Sequence, residues 1–135
     1  MPRRVLFLRN DPTAPEVLLG EAFAESGFDV TTFEVVPARL AADPAIEVRF
    51  PDPTGYDVIV PLGARWAADD AGLPWVAAET AMVREALDAG LGVLGVCFGG
   101  QLLARALGGS VERSPAPEIG WHEVHSDSPD LVPAG

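Results

Sequence analysis

The sequence predicts an α/β fold in which helices cover both faces of an open, mostly parallel sheet. Short apolar runs alternate along the 135-residue chain with segments whose apolar residues recur at helical spacing. The apolar runs are continuous, which is typical of strands buried on both faces. The length suits one domain over residues 1–135.

The first part of the chain predicts three strands and one helix. Residues 5–8 form a short apolar run that predicts the first strand. Residues 16–25 carry apolar side chains on one helical stripe, and Gly27 ends that helix. Residues 28–36, rich in Val, Thr and Phe, predict the second strand, and residues 57–62 predict the third.

The next part predicts two helices around a fourth strand. Residues 76–89 predict a helix with its apolar side chains inward, and Glu79 is expected in solvent with the other charged residues. Gly90 ends this helix, residues 92–96 predict a strand, and residues 101–107 begin another helix.

Two later strands are predicted over residues 110–113 and 119–125. In folds of this kind ligands bind at the carboxyl ends of the strands. Functional residues are therefore expected just after Leu8, Leu62 and Val96.

Composition excludes several classes of function. Acidic residues number 20 against 9 basic ones, which gives a net charge of −11. This balance argues against nucleic-acid and membrane partners, since both attract basic residues. The single cysteine excludes an internal disulfide framework, and the N-terminal apolar run is too short for a signal peptide or a membrane span. We predict a cytoplasmic protein.

Cys97 carries the strongest chemical signal. It stands between a predicted strand and a predicted helix, with Gly95 two residues before it and Gly99 two residues after it. This pattern is that of a nucleophile elbow, a sharp turn that strains its central residue. The helix start favours a thiolate, and the N–H of Phe98 is placed to stabilise an oxyanion. The alternative is a cysteine that serves only as a small apolar side chain.

A second turn, at Gly63 and Ala64, follows the third predicted strand and should face Cys97 across the sheet edge. It could supply the other oxyanion N–H, or it could be an ordinary tight turn. Residues 90–95 match G-x-G-x-x-G, but they lead into a strand, whereas the dinucleotide motif must open a helix. We therefore predict no cofactor.

The two histidines, His122 and His125, predict neither a metal site nor a catalytic base. Their spacing would put them on opposite faces of a strand, and a lone cysteine elsewhere does not complete a zinc site. His125 and Asp127 could share a face as an imidazole–carboxylate pair. Exposed histidines are the preferred interpretation.

Several stretches resemble class I (triad) glutamine amidotransferases, especially proteins similar to the amidotransferase domain of GMP synthase. In chain order they are DVIVPLG from residue 57, LPW from residue 73 with the helix after it, LGVCFGGQLL from residue 94, ALGG from residue 106 and EIGW from residue 118. The stretch around the cysteine is the most specific of them.

The resemblance implies a flavodoxin-like fold of the class I glutamine amidotransferase type and a reaction. Cys97 would attack the side-chain amide of glutamine, release ammonia and form a glutamyl thioester that water hydrolyses. Phe98, Gly63 and Ala64 would supply oxyanion N–H groups, and Gln101 would hold the amino-acid end of glutamine. A synthase domain or subunit would receive the ammonia.

The chain departs from the family pattern in two places. Gly63-Ala64-Arg65 stands where the family usually has Gly-Gly-Pro, and an alanine would strain a positive φ. The family's general base is a histidine in a His-x-Glu/Asp pair well downstream of EIGW, and the sequence stops at Gly135 before such a pair. We expect the N-terminal part of such a domain, with impaired turnover and marginal stability.

Two other functions fit the same residues. A γ-glutamyl peptide or amide hydrolase would share the fold and the nucleophile and act on a larger substrate. A non-catalytic binding or regulatory subunit would keep the elbow only as architecture.

Overall fold

The computed structural model describes residues 1–128 and 130, and this part of the chain contains four strands and three α-helices. The strands are β1 (Arg4–Arg9), β2 (Asp29–Glu34), β3 (Val58–Pro61) and β4 (Gly92–Val93). The helices are α1 (Val17–Glu25), α2 (Pro74–Asp88) and α3 (Phe98–Ala106). Two short 3-10 turns, Ala38–Leu40 and Pro53–Gly55, lie between β2 and β3.

The four strands form one sheet in the order β2-β1-β3-β4. Every neighbouring pair is parallel, with β1 and β3 in the centre. The carboxyl ends of β1, β3 and β4 therefore meet at one edge of the sheet. The predicted open parallel sheet is confirmed.

Alternate residues of β1 show how helices cover both faces of the sheet. Val5 and Phe7 belong to the cluster on the α1 side, where the rings of Phe7 and Phe23 meet edge-on with centroids 5.6 Å apart. Leu6 and Leu8 belong to the larger cluster on the opposite face, with α2 and α3. Burial on both faces explains the continuous apolar run, and the predicted helices on both faces are confirmed.

Element boundaries differ from the predicted ones by a few residues. Helix α2 begins at Pro74 because a proline fits the first turn of a helix, where its missing N–H would have no partner. Helix α3 begins at Phe98, directly after Cys97. Strand β4 is shorter than predicted, although the N–H groups of Leu94 and Val96 still donate to β3 carbonyls at 3.1 and 3.0 Å.

The strands predicted over residues 110–113 and 119–125 are wrong, since neither segment forms a strand. No strand in the described residues pairs with them, and a strand needs a partner for its backbone groups. The side chains of Ile119 and Trp121 are fully solvated, at 86% and 104% exposure.

Among the helices of residues 1–128 and 130, none has the length and apolar composition needed to cross a membrane.

Candidate active site

The loops that follow β1, β3 and β4 border one cleft at the carboxyl edge of the sheet. The cleft has a volume of about 410 Å³ and is open to solvent. It is lined by residues 11 and 13–15 after β1, residues 62–65 after β3, and residues 96–97 after β4. These are the strand ends at which the sequence predicts functional residues.

Cys97 lies in the sharp turn between β4 and α3. Its φ of 54° and ψ of −113° are a backbone conformation that L-residues rarely adopt. The residue is exposed and lines the cleft. Strain of this kind persists only where the surrounding structure imposes it, and it concentrates at functional sites.

Two glycines allow this turn by close packing. A Cβ on Gly99 would lie 1.9 Å from the carbonyl oxygen of Pro61 in β3, and a Cβ on Gly95 would lie 2.6 Å from the Cα of Gly100. Both distances are far shorter than van der Waals contact. Only glycine at these positions lets α3 begin directly against the ends of β3 and β4.

The backbone N–H groups of Gly63, Ala64 and Phe98, near Cys97, have no acceptor within the described residues. A Cβ on Gly63 would lie 3.6 Å from the Cβ of Cys97, so this turn lies against the cysteine. The side chain of Phe98 is buried, with its ring 5.7 Å from that of Trp75. Unpaired N–H groups beside a thiol are the donors that an oxyanion requires.

Ala64 has an ordinary backbone conformation. The non-glycine residues with positive φ, within the part of the chain that the structure describes, are Val17 and Cys97. The strain expected from alanine at this turn is therefore absent, because the turn does not need a positive φ there.

Asn10 and Glu79 form a buried polar pair next to the turn. The Nδ2 of Asn10 donates to the carbonyl oxygen of Leu62 and to Oε1 of Glu79, both at 3.0 Å. Both side chains are fully buried. Burial raises the pKa of Glu79 to about 8, against a smaller opposing effect of the hydrogen bond from Asn10. Glu79 is therefore neutral at pH 7.

Asp11 connects the loop after β1 to the loop after β3. Its carboxylate accepts hydrogen bonds from Nε and Nη2 of Arg65, both at 2.8 Å, and from the backbone N–H of Arg65 at 3.0 Å. It also accepts the N–H and hydroxyl of Thr13 at 2.9 and 2.7 Å. The side chain of Asp11 is 1% exposed and that of Arg65 is 48% exposed. The Arg65 guanidinium holds the pKa of Asp11 well below its usual range.

Gln101 and the two histidines lie outside the lining of the cleft. Gln101 is exposed on α3, and its backbone N–H donates to the Cys97 carbonyl oxygen at 3.1 Å. Its contact with substrate stays a prediction. His122 and His125 are exposed, and Nε2 of His125 lies 3.8 Å from Oε1 of Glu123. Among residues 1–128 and 130, no histidine lines the cleft and no cluster of His, Cys, Asp and Glu could hold a metal ion.

A larger groove of about 750 Å³ lies between residues 48–53 and α2. Its charged lining residues are Arg49, Asp52 and Glu85, and it contains no thiol or hydroxyl side chain. The groove therefore offers no nucleophile comparable to Cys97.

Sequence patterns do not predict Asn10, Asp11 or Glu79 as part of the site. Asn10 and Asp11 directly follow an apolar strand at the functional edge of the sheet, and that position could have identified them. The expectation that Glu79 faces solvent is wrong. It precedes Met82 and Val83 by three and four residues, so helical spacing places it on their buried face.

Comparisons with known proteins bear on this cleft. The family model of glutamine amidotransferase class-I matches residues 20–131. The glutamine amidotransferase-like protein chyE of Penicillium rubens is 40% identical over 79 residues, which are 57% of this chain and 33% of that protein. The glutamine-hydrolyzing GMP synthase of Aeropyrum pernix is 60% identical over 38 residues, 28% of this chain and 7% of that protein.

Among solved structures, a glutamine amido transferase from Methylobacillus flagellatus superposes with a TM-score of 0.69 at 28% identity. The match covers 90% of this chain and 45% of that one. The chain thus spans less than half the length of each of these three relatives.

Proposed function

The chain belongs to the class I glutamine amidotransferase family, and from this membership we propose that it hydrolyses the side-chain amide of glutamine with Cys97 as the nucleophile. The observation that carries the proposal is the placement of Cys97. The residue is strained, exposed in a cleft and adjacent to unpaired backbone N–H groups. Membership of the family suggests glutamine as the substrate, and the geometry around Cys97 suggests how its amide is attacked.

The reaction has two steps. The Cys97 thiolate bonds to the amide carbon of glutamine, and the carbonyl electron pair moves onto oxygen. The N–H of Phe98, with those of Gly63 and Ala64, stabilises this oxyanion. A general acid protonates the nitrogen, which leaves as ammonia and leaves a γ-glutamyl thioester. Water then releases glutamate and restores the thiol.

Gln101 stands one helical turn after Cys97. Its exposed amide can donate and accept hydrogen bonds at once. We propose that it contacts the amino-acid end of glutamine once substrate is bound.

The proton transfers of this reaction need an acid–base group beside Cys97. Within residues 1–128 and 130 no histidine lines the cleft. We therefore expect this chain to turn over glutamine at least about a hundredfold more slowly than a longer one carrying a His-x-Glu/Asp pair, because acyl transfer needs an acid–base group. Ammonia release from both chains measures the difference. Equal and substantial rates would contradict the expectation.

We also propose that the ammonia passes to a synthase domain or subunit. Similarity to a segment of glutamine-hydrolyzing GMP synthases supports this proposal. A location in the cytoplasm stays a prediction.

Replacement of Cys97 tests the nucleophile directly. Cys97→Ala should lower ammonia release from glutamine by at least about a thousandfold, because no thioester can form. Mass spectrometry after acid quench should detect a glutamyl adduct on the wild-type chain and none on the variant. Ser26→Ala, a small change on an exposed residue at the end of α1, is the control and should be unaffected.

Other outcomes would reassign the site. Faster hydrolysis of γ-glutamyl amides or peptides than of glutamine would indicate the hydrolase alternative. If the chain is folded but forms no adduct and releases no ammonia from any of these substrates, the result would indicate a non-catalytic subunit.

A further inference from the structure

We propose that Asn10 and Asp11, consecutive residues after β1, are positioning residues that hold the Gly63–Ala64 turn beside Cys97 from both of its ends. The inference rests on the proposed function, in which this turn donates N–H groups to the oxyanion. Neither residue needs to touch substrate for this role. Each acts through the residue next to the turn.

Asn10 fixes the residue before the turn. Its Nδ2 donates to the carbonyl oxygen of Leu62 at 3.0 Å, while the Leu62 N–H donates to the Leu8 carbonyl oxygen at 3.1 Å. Both polar backbone groups of Leu62 are thus occupied. Glu79 on α2 accepts the second Nδ2 hydrogen of Asn10 and so orients the amide. The start of the turn is tied to β1 and, through Asn10, to α2.

Asp11 fixes the residue after the turn. It accepts the backbone N–H of Arg65 at 3.0 Å and two guanidinium nitrogens at 2.8 Å. Thr13 donates twice to the same carboxylate, which prevents it from rotating. Bidentate arginine–carboxylate pairs fix orientation as well as distance. Between Leu62 and Arg65, the turn residues keep their own N–H groups unpaired within the described residues.

The resemblance of this turn to Gly-Gly-Pro puts Arg65 at the position of the proline. A proline would fix φ by its ring and would carry no N–H at that position. Arginine leaves φ free and carries an N–H, so its backbone needs an external restraint and its N–H needs an acceptor. The carboxylate of Asp11 supplies both. The ion pair therefore provides the restraint that the ring would otherwise impose.

Stability alone does not account for the polar pair behind this arrangement. Oδ1 of Asn10 and Oε2 of Glu79 are buried without a partner in the described residues. An unsatisfied buried polar atom is destabilising, and an apolar pair would avoid it. The donor that Asn10 presents to Leu62 explains why a polar side chain stands there.

Steady-state kinetics with glutamine test the proposal in the full chain. Asn10→Ala and Asp11→Ala should lower kcat by about tenfold to a hundredfold and leave KM within about threefold, because a displaced oxyanion donor affects the transition state more than substrate binding. Asp52→Ala is the matched control. Asp52 accepts the N–H and hydroxyl of Thr54 as Asp11 does those of Thr13, and it does not line the cleft. Its kcat should not change.

Two further variants separate positioning from folding. Arg65→Lys keeps the N–H donated to Asp11 and a positive charge beside its buried carboxylate but removes the bidentate contact, so it should fold and lose about threefold to tenfold in kcat. Glu79→Gln keeps an acceptor for Asn10 and should retain kcat within about threefold, whereas Glu79→Leu should resemble Asn10→Ala.

Amide hydrogen exchange gives a readout that does not depend on activity. Exchange at Leu62 and Arg65 should accelerate at least about tenfold in Asn10→Ala and Asp11→Ala, while exchange at Val60 stays unchanged. If the wild-type chain does not hydrolyse glutamine, the proposed function fails, and these exchange rates decide the positioning role alone. Unchanged exchange at both amides in folded variants would overturn the proposal. So would kcat values equal to that of Asp52→Ala in an active enzyme.

Discussion

Glu79 is a carboxyl group that the fold keeps protonated at neutral pH. Its pKa rises from 4.5 to about 8 because burial removes water from the charged form. Between these two values the folded chain retains a proton that the unfolded chain has released. The free energy of unfolding should therefore fall as pH rises through this window.

Glu79→Gln should remove that dependence. As pH rises from about 5 to about 8, the free energy of unfolding of the variant should increase relative to that of wild type by on the order of a few kcal/mol, since glutamine has no proton to lose. Asp11 does not contribute in this window: its lowered pKa stabilises the fold above about pH 4, and that contribution is lost only as pH falls below this value. Urea unfolding at several pH values measures the difference. Parallel curves for the two proteins would contradict it.

The same residues show why the site was only partly predictable. Cys97 and its flanking glycines are contiguous in sequence, so a local pattern was enough to predict the turn. Asn10 and Glu79 are 69 positions apart, and their contact depends on the packing of α2 against the sheet. Polar residues are common in loops between strands and helices, so the sequence does not show that the fold buries Asn10.

Among the structural elements, β4 and α3 meet at a junction that is held by close backbone contacts. Helix α3 starts where the backbone of Gly99 touches the carbonyl of Pro61, and this contact sets the distance between α3 and β3. The next residue, Gly100, has more room, because a Cβ there would lie 3.4 Å from the Gly95 carbonyl oxygen. The two adjacent glycines therefore differ in whether a larger side chain fits at their position.

Gly99→Ala should destabilise the fold by about 3 kcal/mol or more, because the new methyl group must push α3 away from β3. Gly100→Ala should be neutral or stabilise by up to about 1 kcal/mol, because alanine favours the helix. Urea unfolding of both variants measures the contrast. Equal stabilities would show that the close contact at Gly99 relaxes without cost.

Helices and strands buried in the core were predicted well, and the segment over residues 110–125 was not. Periodicity reports which side chains can be buried, but it does not report whether a partner strand is present. Residues 119–125 carry apolar side chains and nevertheless lie exposed, with Trp121 at 104%.

In the molecule as a whole, the edge of the sheet at β4 is only partly covered from solvent. Strand β4 forms one edge and pairs with β3 over a short ladder. Leu94 and Val96 beside it are 44% and 36% exposed. The net charge of −11 adds self-repulsion to this compact form.

We therefore expect the 135-residue chain to have a free energy of unfolding of about 5 kcal/mol or less, at the low end for single domains. Raising the salt concentration should increase the melting temperature, since screening weakens repulsion among the acidic residues. Thermal unfolding at low and high salt measures both effects. A cooperative transition at high temperature that is insensitive to salt would contradict this expectation.

Spacing within a few neighbouring residues was enough to predict the strand–helix order up to residue 107, the burial of β1 on both faces and the turn at Cys97. The contacts of Asn10 with Glu79 and of Asp11 with Arg65, 54 positions away, become visible only in the folded chain. The physical reason is that burial and ion pairing are properties of the surroundings a side chain acquires on folding. Those surroundings are assembled from segments that are distant in the chain.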